Sequence, residues 1–425
     1  MKMILMSAAL AGSVIWGSSA VQVNGIQSHS ISEMAPLFDE EHAYETIHEL
    51  SEVIGPRETG TEKEKEAASY ISKRIQDEGL AVRIQPFHVK TYYSGSVMAG
   101  DHEYPIRSAD KSAVENEERV EGEVLDGGYG LNLDEKEAKG KIAVLREGKI
   151  SVSQKLKNAQ AAGAKTVIIY NSKTKPLAIR PVKPKHITIP AAGMKKEDGE
   201  ALLKEKQAVI QFKNYRNRTS QNIIGTRKAQ HTKHPDILYV TAHYDTVKDA
   251  PGADDNASGT SAVLEMIEQS KHLPKNKEIR FIFFGAEELW SAGSSYYVST
   301  LTSDEIKHSR ANFNADMIAT DWKDASQMYI TTPDGKKNAS VNYAVNAAQR
   351  AQLKAPRLTQ LGYSDHVSFY EAGIPSANWI WLSPDTQEPG PWYHTEKDNI
   401  AHISKERLNE AGQLLLSAVQ EANID

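Results

Sequence analysis

The chain has 425 residues, 40% hydrophobic and 25% charged, with a formal net charge of -6, a composition typical of globular proteins and long enough for more than one domain. No long run of one sign marks nucleic acid or an anionic membrane surface as a partner. There is no cysteine, which excludes disulfides, thiolate ligands and cysteine nucleophiles, so a transition metal must sit on His, Asp and Glu.

The N-terminus, MKMILMSAALAGSVIWGSSAVQ, carries Lys2, then an apolar stretch from Met3 to about Gly17, then the small residues Ser18, Ser19 and Ala20. This is the layout of a secretory signal over residues 1–20, too short for a membrane span. The protein is expected to be secreted and extracellular, with cell-wall association as a variant. Residues 21–40 lack periodicity and read as a linker or pro-segment. Ile47, Leu50, Val53 and Ile54 share a helical face that ends at Gly55-Pro56. Thr61 and Glu64 predict a capping box, opening a helix through Ala67, Ile71 and Ile75 to Gly79. LAVRIQPFHV then alternates as a strand. Residues 41–90 are thus the first part of the main domain.

Residues 91–214 have a different texture, with the turn Asp126-Gly127-Gly128, strand-like GKIAVL (140–145), a helix over 154–162 and the buried run TVIIY (166–170). This predicts a separate β-rich module with its own core. From 215 to 425, strands alternate with helices: ILYVTAH (237–243), a helix over 258–273, IRFIFFGA (279–286), NFNADM (312–317), ANWIWL (377–382), and a closing helix from Ser404. That alternation predicts an α/β domain with a mixed, mostly parallel sheet and helices on both faces.

Acidic and histidine residues fall where these strands end. His243 and Asp245 close the first, Asp254-Asp255-Asn256 precede the next helix, Glu287-Glu288 close IRFIFFGA, Asp316 closes NFNAD, and His394 follows ANWIWL. Sites in open α/β sheets form outside the carboxyl ends of strands. A His/carboxylate set without cysteine suits two zinc ions sharing a carboxylate and a water. If one ion takes His243 and Asp316, the other Glu288 and His394, and Asp255 bridges, each has three protein ligands and an open position. One carboxylate must stay unligated as the base that moves the water's proton. Glu287 is the natural candidate, because neighbouring residues leave a strand end in different directions.

HYD (243–245), GADDNASG (252–259), GAEE (285–288), NADM (314–317) and YHTEKD (393–398), in that order, resemble the dizinc aminopeptidases, a family that includes secreted bacterial leucine-type enzymes and is related to glutamate carboxypeptidase. The resemblance implies a zinc exopeptidase fold, two Zn ions, Asp255 rather than Asp254 as the bridge, Glu287 as the base and Glu288 as a ligand. It also implies that Tyr363, in GYSDH (362–366), or Tyr393 hydrogen-bonds the tetrahedral intermediate. GKIAVLREG and KLKNAQAAGAKTVIIYN resemble a protease-associated domain inserted into such peptidases. The implied activity is removal of N-terminal residues from peptides or proteins; a monomeric enzyme is expected.

Other residues have plainer readings. Asp245 is placed to orient His243, and Asp254 reads as a helix N-terminal cap. Asp365-His366 reads equally as a structural pair or as a third histidine in the site. Asn256-Ala257-Ser258 is a chance glycosylation sequon, and Trp379, Trp381 and Trp392 read as core more than as substrate wall. Three rivals remain: a carboxypeptidase of the same clan, a single-zinc glutaminyl cyclase, and a non-catalytic receptor-like module. The complete ligand set counts against the last two.

Overall fold

A computed structural model describes residues 37–89, 92–109, 117–172, 187–215, 218–230 and 232–425. The signal of residues 1–20 and the linker up to residue 36 lie outside the described residues. The strands, in chain order, are β1 (Ala81–His88), then β2 (Tyr92–Ala99), β3 (His102–Ser108), β4 (Glu117–Asp126), β5 (Ile142–Arg146), β6 (Thr166–Tyr170), β7 (Ala191–Met194) and β8 (Gln207–Tyr215). β9 (Thr219–Arg227), β10 (Ile237–His243), β11 (Glu278–Phe284), β12 (Ser309–Ala315), β13 (Gln327–Thr332), β14 (Arg357–Gln360) and β15 (Ser376–Leu382) follow.

An 8-stranded sheet runs β1-β9-β11-β10-β12-β15-β13-β14. Its centre, β11-β10-β12-β15, is parallel throughout, while β1, β9 and β13 make antiparallel pairs towards the edges. β10 and β15 are buried along their whole length, as apolar strands covered on both faces must be. Alternation along each strand sorts the side chains by face. Leu238, Val240, Phe281 and Phe283 join Ile47, Ile71, Val263 and Leu415 from four helices: Glu40–His48, Glu62–Asp77, Gly259–Gln269 and Lys405–Ile424. Tyr239, Ile282 and Phe284 instead meet Tyr297 of helix Ala292–Ser299 and Phe369 of helix His366–Glu371. Helices therefore cover both faces. Trp379 and Trp381 belong to the first core, while Trp392 is half-buried and stacks on His402 at 4.1 Å.

Between β1 and β9 the chain builds a closed barrel, β2-β3-β7-β6-β5-β4-β8. Val144, Ile168, Ile210 and Phe212 fill its interior, and Leu145 and Ile169 pack outside it against Leu156 and Ala159 of helix Val152–Ala161. The barrel thus has a core separate from the sheet's.

Two local readings need correction. Thr61 does cap its helix by accepting from the Glu64 N–H, but Glu64 does not close a capping box. Its carboxylate accepts from the Gly60 N–H at 2.6 Å and from the Ser220 hydroxyl, a buried tertiary use that outweighs the local motif. Asp254 is not a cap of its own helix either. Its Oδ1 accepts from the Ala319 N–H at 2.8 Å, tying two loops together.

The sheet's stability should respond sharply to its central aromatics. Phe283 is fully buried, so Phe283→Ala should cost about 3–5 kcal/mol in a denaturant titration, and Phe283→Leu clearly less.

Candidate metal centre

Parallel neighbours β11, β10, β12 and β15 open their carboxyl ends on the same edge of the sheet. His243 is the last residue of β10, the Glu287-Glu288 pair lies just past β11, Asp316 follows β12, and His394 sits in the loop after β15. Asp255 lies in a distorted helical turn, Ala253–Ser258, with a cis peptide bond to Asn256. Met317 and His394 adopt φ of +63° and +58°, and such left-handed geometry in non-glycine residues clusters at functional sites.

The side chains form two sets that share one residue. His243, Asp255 and Asp316 offer ligand atoms all within 4.8 Å of one another, and so do Asp255, Glu288 and His394. His243 Nε2 lies 3.3 Å from Asp255 Oδ1 and 3.4 Å from Asp316 Oδ1. His394 Nε2 lies 3.2 Å from Asp255 Oδ2 and 3.1 Å from Glu288 Oε2. Asp255 therefore turns one oxygen to each set. Ser364 donates to Asp316 Oδ2 at 2.6 Å, which leaves Oδ1 facing His243. Glu288 Oε1 is buried without a hydrogen-bond partner.

Carboxylates dominate the electrostatics of the site. Burial pulls His243 down, but Asp316, Asp245 and Asp255 drive it well above its ordinary value. His394 is likewise lowered by burial and raised further by Asp255 and Glu288, to about 10. Burial, reinforced by Asp255, pushes Glu288 up to about 7. Imidazole and carboxylate donors at this spacing, with an orphaned carboxylate oxygen, fit divalent cations of the zinc type.

Glu287 belongs to neither set. Ala286, at φ +56°, turns the chain sharply after β11. The Asp245 carboxylate catches the turn, with Oδ1 accepting from the Glu287 N–H at 2.9 Å and Oδ2 from the Glu288 N–H at 3.3 Å. His243 Nδ1 faces the Asp245 carbonyl at 3.2 Å and its Oδ1 at 3.6 Å. Asp245 thus touches both the histidine and the acidic pair. The Ser291 hydroxyl donates to Glu287 Oε1 at 3.1 Å. Burial raises Glu287 well above its usual value, His243 opposing this and Asp365 and Glu288 adding to it.

Sequence reasoning missed the groups that hold this arrangement. Asp398, quoted above only as part of YHTEKD, accepts from the Asp254 N–H at 2.8 Å and the Asp255 N–H at 3.0 Å. Arg57 is fully buried and donates to the carbonyls of Leu50, Gly55, Tyr244, Pro251 and Gly252. Its only visible signal was an arginine in a Gly/Pro turn. Thr59 donates to Asp245 Oδ2 at 2.9 Å.

Tyr363 and Tyr393 line a small hollow of about 30 Å³ with Asp255, Glu287, Asp316 and His394. The Tyr393 ring stacks on His394 at 3.7 Å. His366 is fully buried, faces the Leu361 carbonyl at 3.2 Å, is pushed down to about 4 by burial, and belongs to neither set.

Fold and side-chain set together are those of an α/β metallopeptidase. Residues 222–419 match peptidase family M28, and residues 103–202 match the PA domain. Aminopeptidase YwaD of Bacillus subtilis (strain 168) is 46% identical over 414 residues, covering 97% of this chain and 90% of that protein. The solved structure of BSAP, a zinc aminopeptidase from Bacillus subtilis, superposes with a TM-score of 0.67 at 46% identity, covering 91% of this chain and 96% of that one. An aminopeptidase from Aneurinibacillus sp. strain AM-1 gives a TM-score of 0.63 at 34% identity, covering 91% and 94%. The chain belongs to peptidase family M28 and carries an inserted PA domain.

Glu64 provides a pH test of the supporting shell. Burial pushes it from 4.5 up to about 8, the Ser220 bond pulling down and Asp245 pushing up. Between those values the folded chain binds more protons than the unfolded one, so this group's contribution to stability falls as pH rises through the window. Glu64→Gln keeps an acceptor for Gly60 and offers Ser220 an amide donor where the carboxylate accepts. In denaturant titrations with chelator present, it should gain on wild type by on the order of a few kcal/mol as pH rises from about 4.5 to 8. Parallel pH profiles would contradict this.

Proposed function

We propose that this chain is a secreted, zinc-dependent aminopeptidase that hydrolyses the first peptide bond of peptides and protein N-termini. The reading is carried by Asp255, whose two oxygens face two separate His–carboxylate sets. His243 and Asp316 would hold one zinc ion, Glu288 and His394 the other, with Asp255 serving both. The solved Bacillus relative, a zinc aminopeptidase, supports both the metal and the activity. Bound there, the two ions would polarise the scissile carbonyl and acidify a shared water.

The chain's own residues do the remaining work. Glu287 takes the water's proton and returns it to the leaving amine, as general base and then acid. Asp245 fixes its backbone and Ser291 its carboxylate. Tyr363, 57% exposed at the mouth, and Tyr393 supply hydroxyls for the developing oxyanion. The hollow they share is bounded by Met317, Ile380 and Pro389, which suits entry of one chain end rather than passage of a whole chain.

We divide the chain into a signal over residues 1–20, a linker to 40, peptidase segments 41–90 and 215–425, and the inserted domain over 91–214. Export is supported by the lysine, apolar stretch and small residues of the first twenty positions. Among the described residues, no helix is long and apolar enough to cross a membrane. We further propose that the enzyme acts as a monomer.

Metal analysis with assays on free and N-blocked chromogenic peptides tests this reading. Bound zinc and cleavage of free N-termini alone are expected, and equal cleavage of both substrates would overturn it. Glu287→Gln should keep both metals and lose about 10²–10⁴-fold in turnover. Glu288→Ala should first lose metal, measurable by elemental analysis, and reversed phenotypes would invert the assignment of the pair.

A further inference from the structure

The turn that delivers Glu287 continues into a second hollow. Ser291, whose hydroxyl holds Glu287 Oε1 at 3.1 Å, is flanked by Trp290 and Ala292, and both line a recess of about 330 Å³. Phe87 and Tyr296, stacked at 5.3 Å, form another wall. Ala286 and Leu289, on either side of the acidic pair, pack with Phe87 and Val89 in one buried cluster. The recess and the proposed base therefore stand on the same few residues.

The recess has an aromatic rim. Trp290 is 74% exposed and Tyr296 40% exposed, large apolar area of the kind that marks a binding surface when it lines a concavity. Trp290 and Ser291 sit at φ of +65° and +50°, conformations unfavourable for non-glycine residues. This backbone sends Ser291 to Glu287 and Trp290 to the recess. Ser295, on the same wall, bonds Ser368 at 3.1 Å. Among the described residues that line the recess there is no Lys, Arg, Asp or Glu, and His88 and Tyr296 are the titratable ones.

Dimensions limit the occupant. Trp290 lies three positions after Glu287, so their Cα atoms are at most about 11 Å apart. An extended peptide covers that span in about three residues. The hollow at the metal centre holds only about 30 Å³, so the part of a substrate beyond the cut must lie outside it.

We propose that the recess beside Trp290 is a subsite for an apolar or aromatic side chain on the leaving side of the substrate, within three residues after the scissile bond. This rests on the aminopeptidase reading and adds to it a preference for peptides over single-residue amides.

The test uses the zinc-loaded full chain and tetrapeptides starting with Leu, with Phe, Asp or Gly at each position beyond the cut. Wild type should favour Phe over Gly at one position by roughly tenfold or more in kcat/KM, mainly through KM, and disfavour Asp there. In Trp290→Ala that Phe/Gly ratio should collapse towards one, and Trp290→Phe should restore most of it. A ratio that survives in Trp290→Ala overturns the subsite, as does a variant in which Phe and Gly peptides weaken equally. A wild type that cleaves leucine p-nitroanilide but shows no Phe preference sinks the subsite alone. A wild type that cleaves neither amide nor peptides sinks the aminopeptidase reading and the subsite with it.

Discussion

Asp245, Asp254, Asp255, Glu287, Glu288, Asp316, Asp365 and Asp398 crowd one edge of the sheet, where little water remains to screen them, and the surrounding architecture answers that repulsion. Part of the answer is backbone N–H groups aimed at carboxylates. Asp245 takes those of Glu287 and Glu288, Asp398 those of Asp254 and Asp255, and Asp254 that of Ala319. Each such bond stabilises an anion and fixes a loop at once. Arg57 adds a buried cation that bonds only carbonyls, so its charge is left to act on the acids around it. Burial brings it down to about 10, while Asp398, Asp245 and Asp255 hold it up. What these groups leave uncompensated lies between His243, His394 and the carboxylates of the two sets, and there a divalent cation is the natural counter-charge.

How legible each part was depended on how local its cause was. The central strands were readable because parallel strands covered on both faces are apolar throughout, as in ILYVTAH and ANWIWL. His243, Glu288, Asp316 and His394 were readable because strand ends announce themselves, and the topology brings those ends together. β14, the four residues Arg357–Gln360, has no buried residue to mark it, and helix His366–Glu371 is too short for a periodic signal. Glu64 and Asp254 carried sound local signals that tertiary contacts overrode. Arg57 and Asp398 act through backbone atoms of distant loops, which residue types do not encode.

The acidic pair shows how one turn serves separate purposes. A continued strand would send adjacent side chains to opposite faces. Here the left-handed step at Ala286 and the grip of Asp245 on both backbone N–H groups place Glu288 beside His394 and Glu287 beside Ser291. The repulsion within GAEE is relieved by giving each carboxylate its own neighbours.

The barrel joins the sheet through a stem. His88, at the end of β1, pairs with Thr219, at the start of β9, and Tyr92, at the start of β2, pairs with Tyr215, at the end of β8. The outgoing and returning chains are neighbours on both sides of the junction, so the sheet meets a whole module as though it were the tip of a hairpin. Its strand order and register owe nothing to the module's size. An ancestral peptidase could acquire, trade or enlarge such a module at this junction in one genetic event, without rethreading the catalytic sheet.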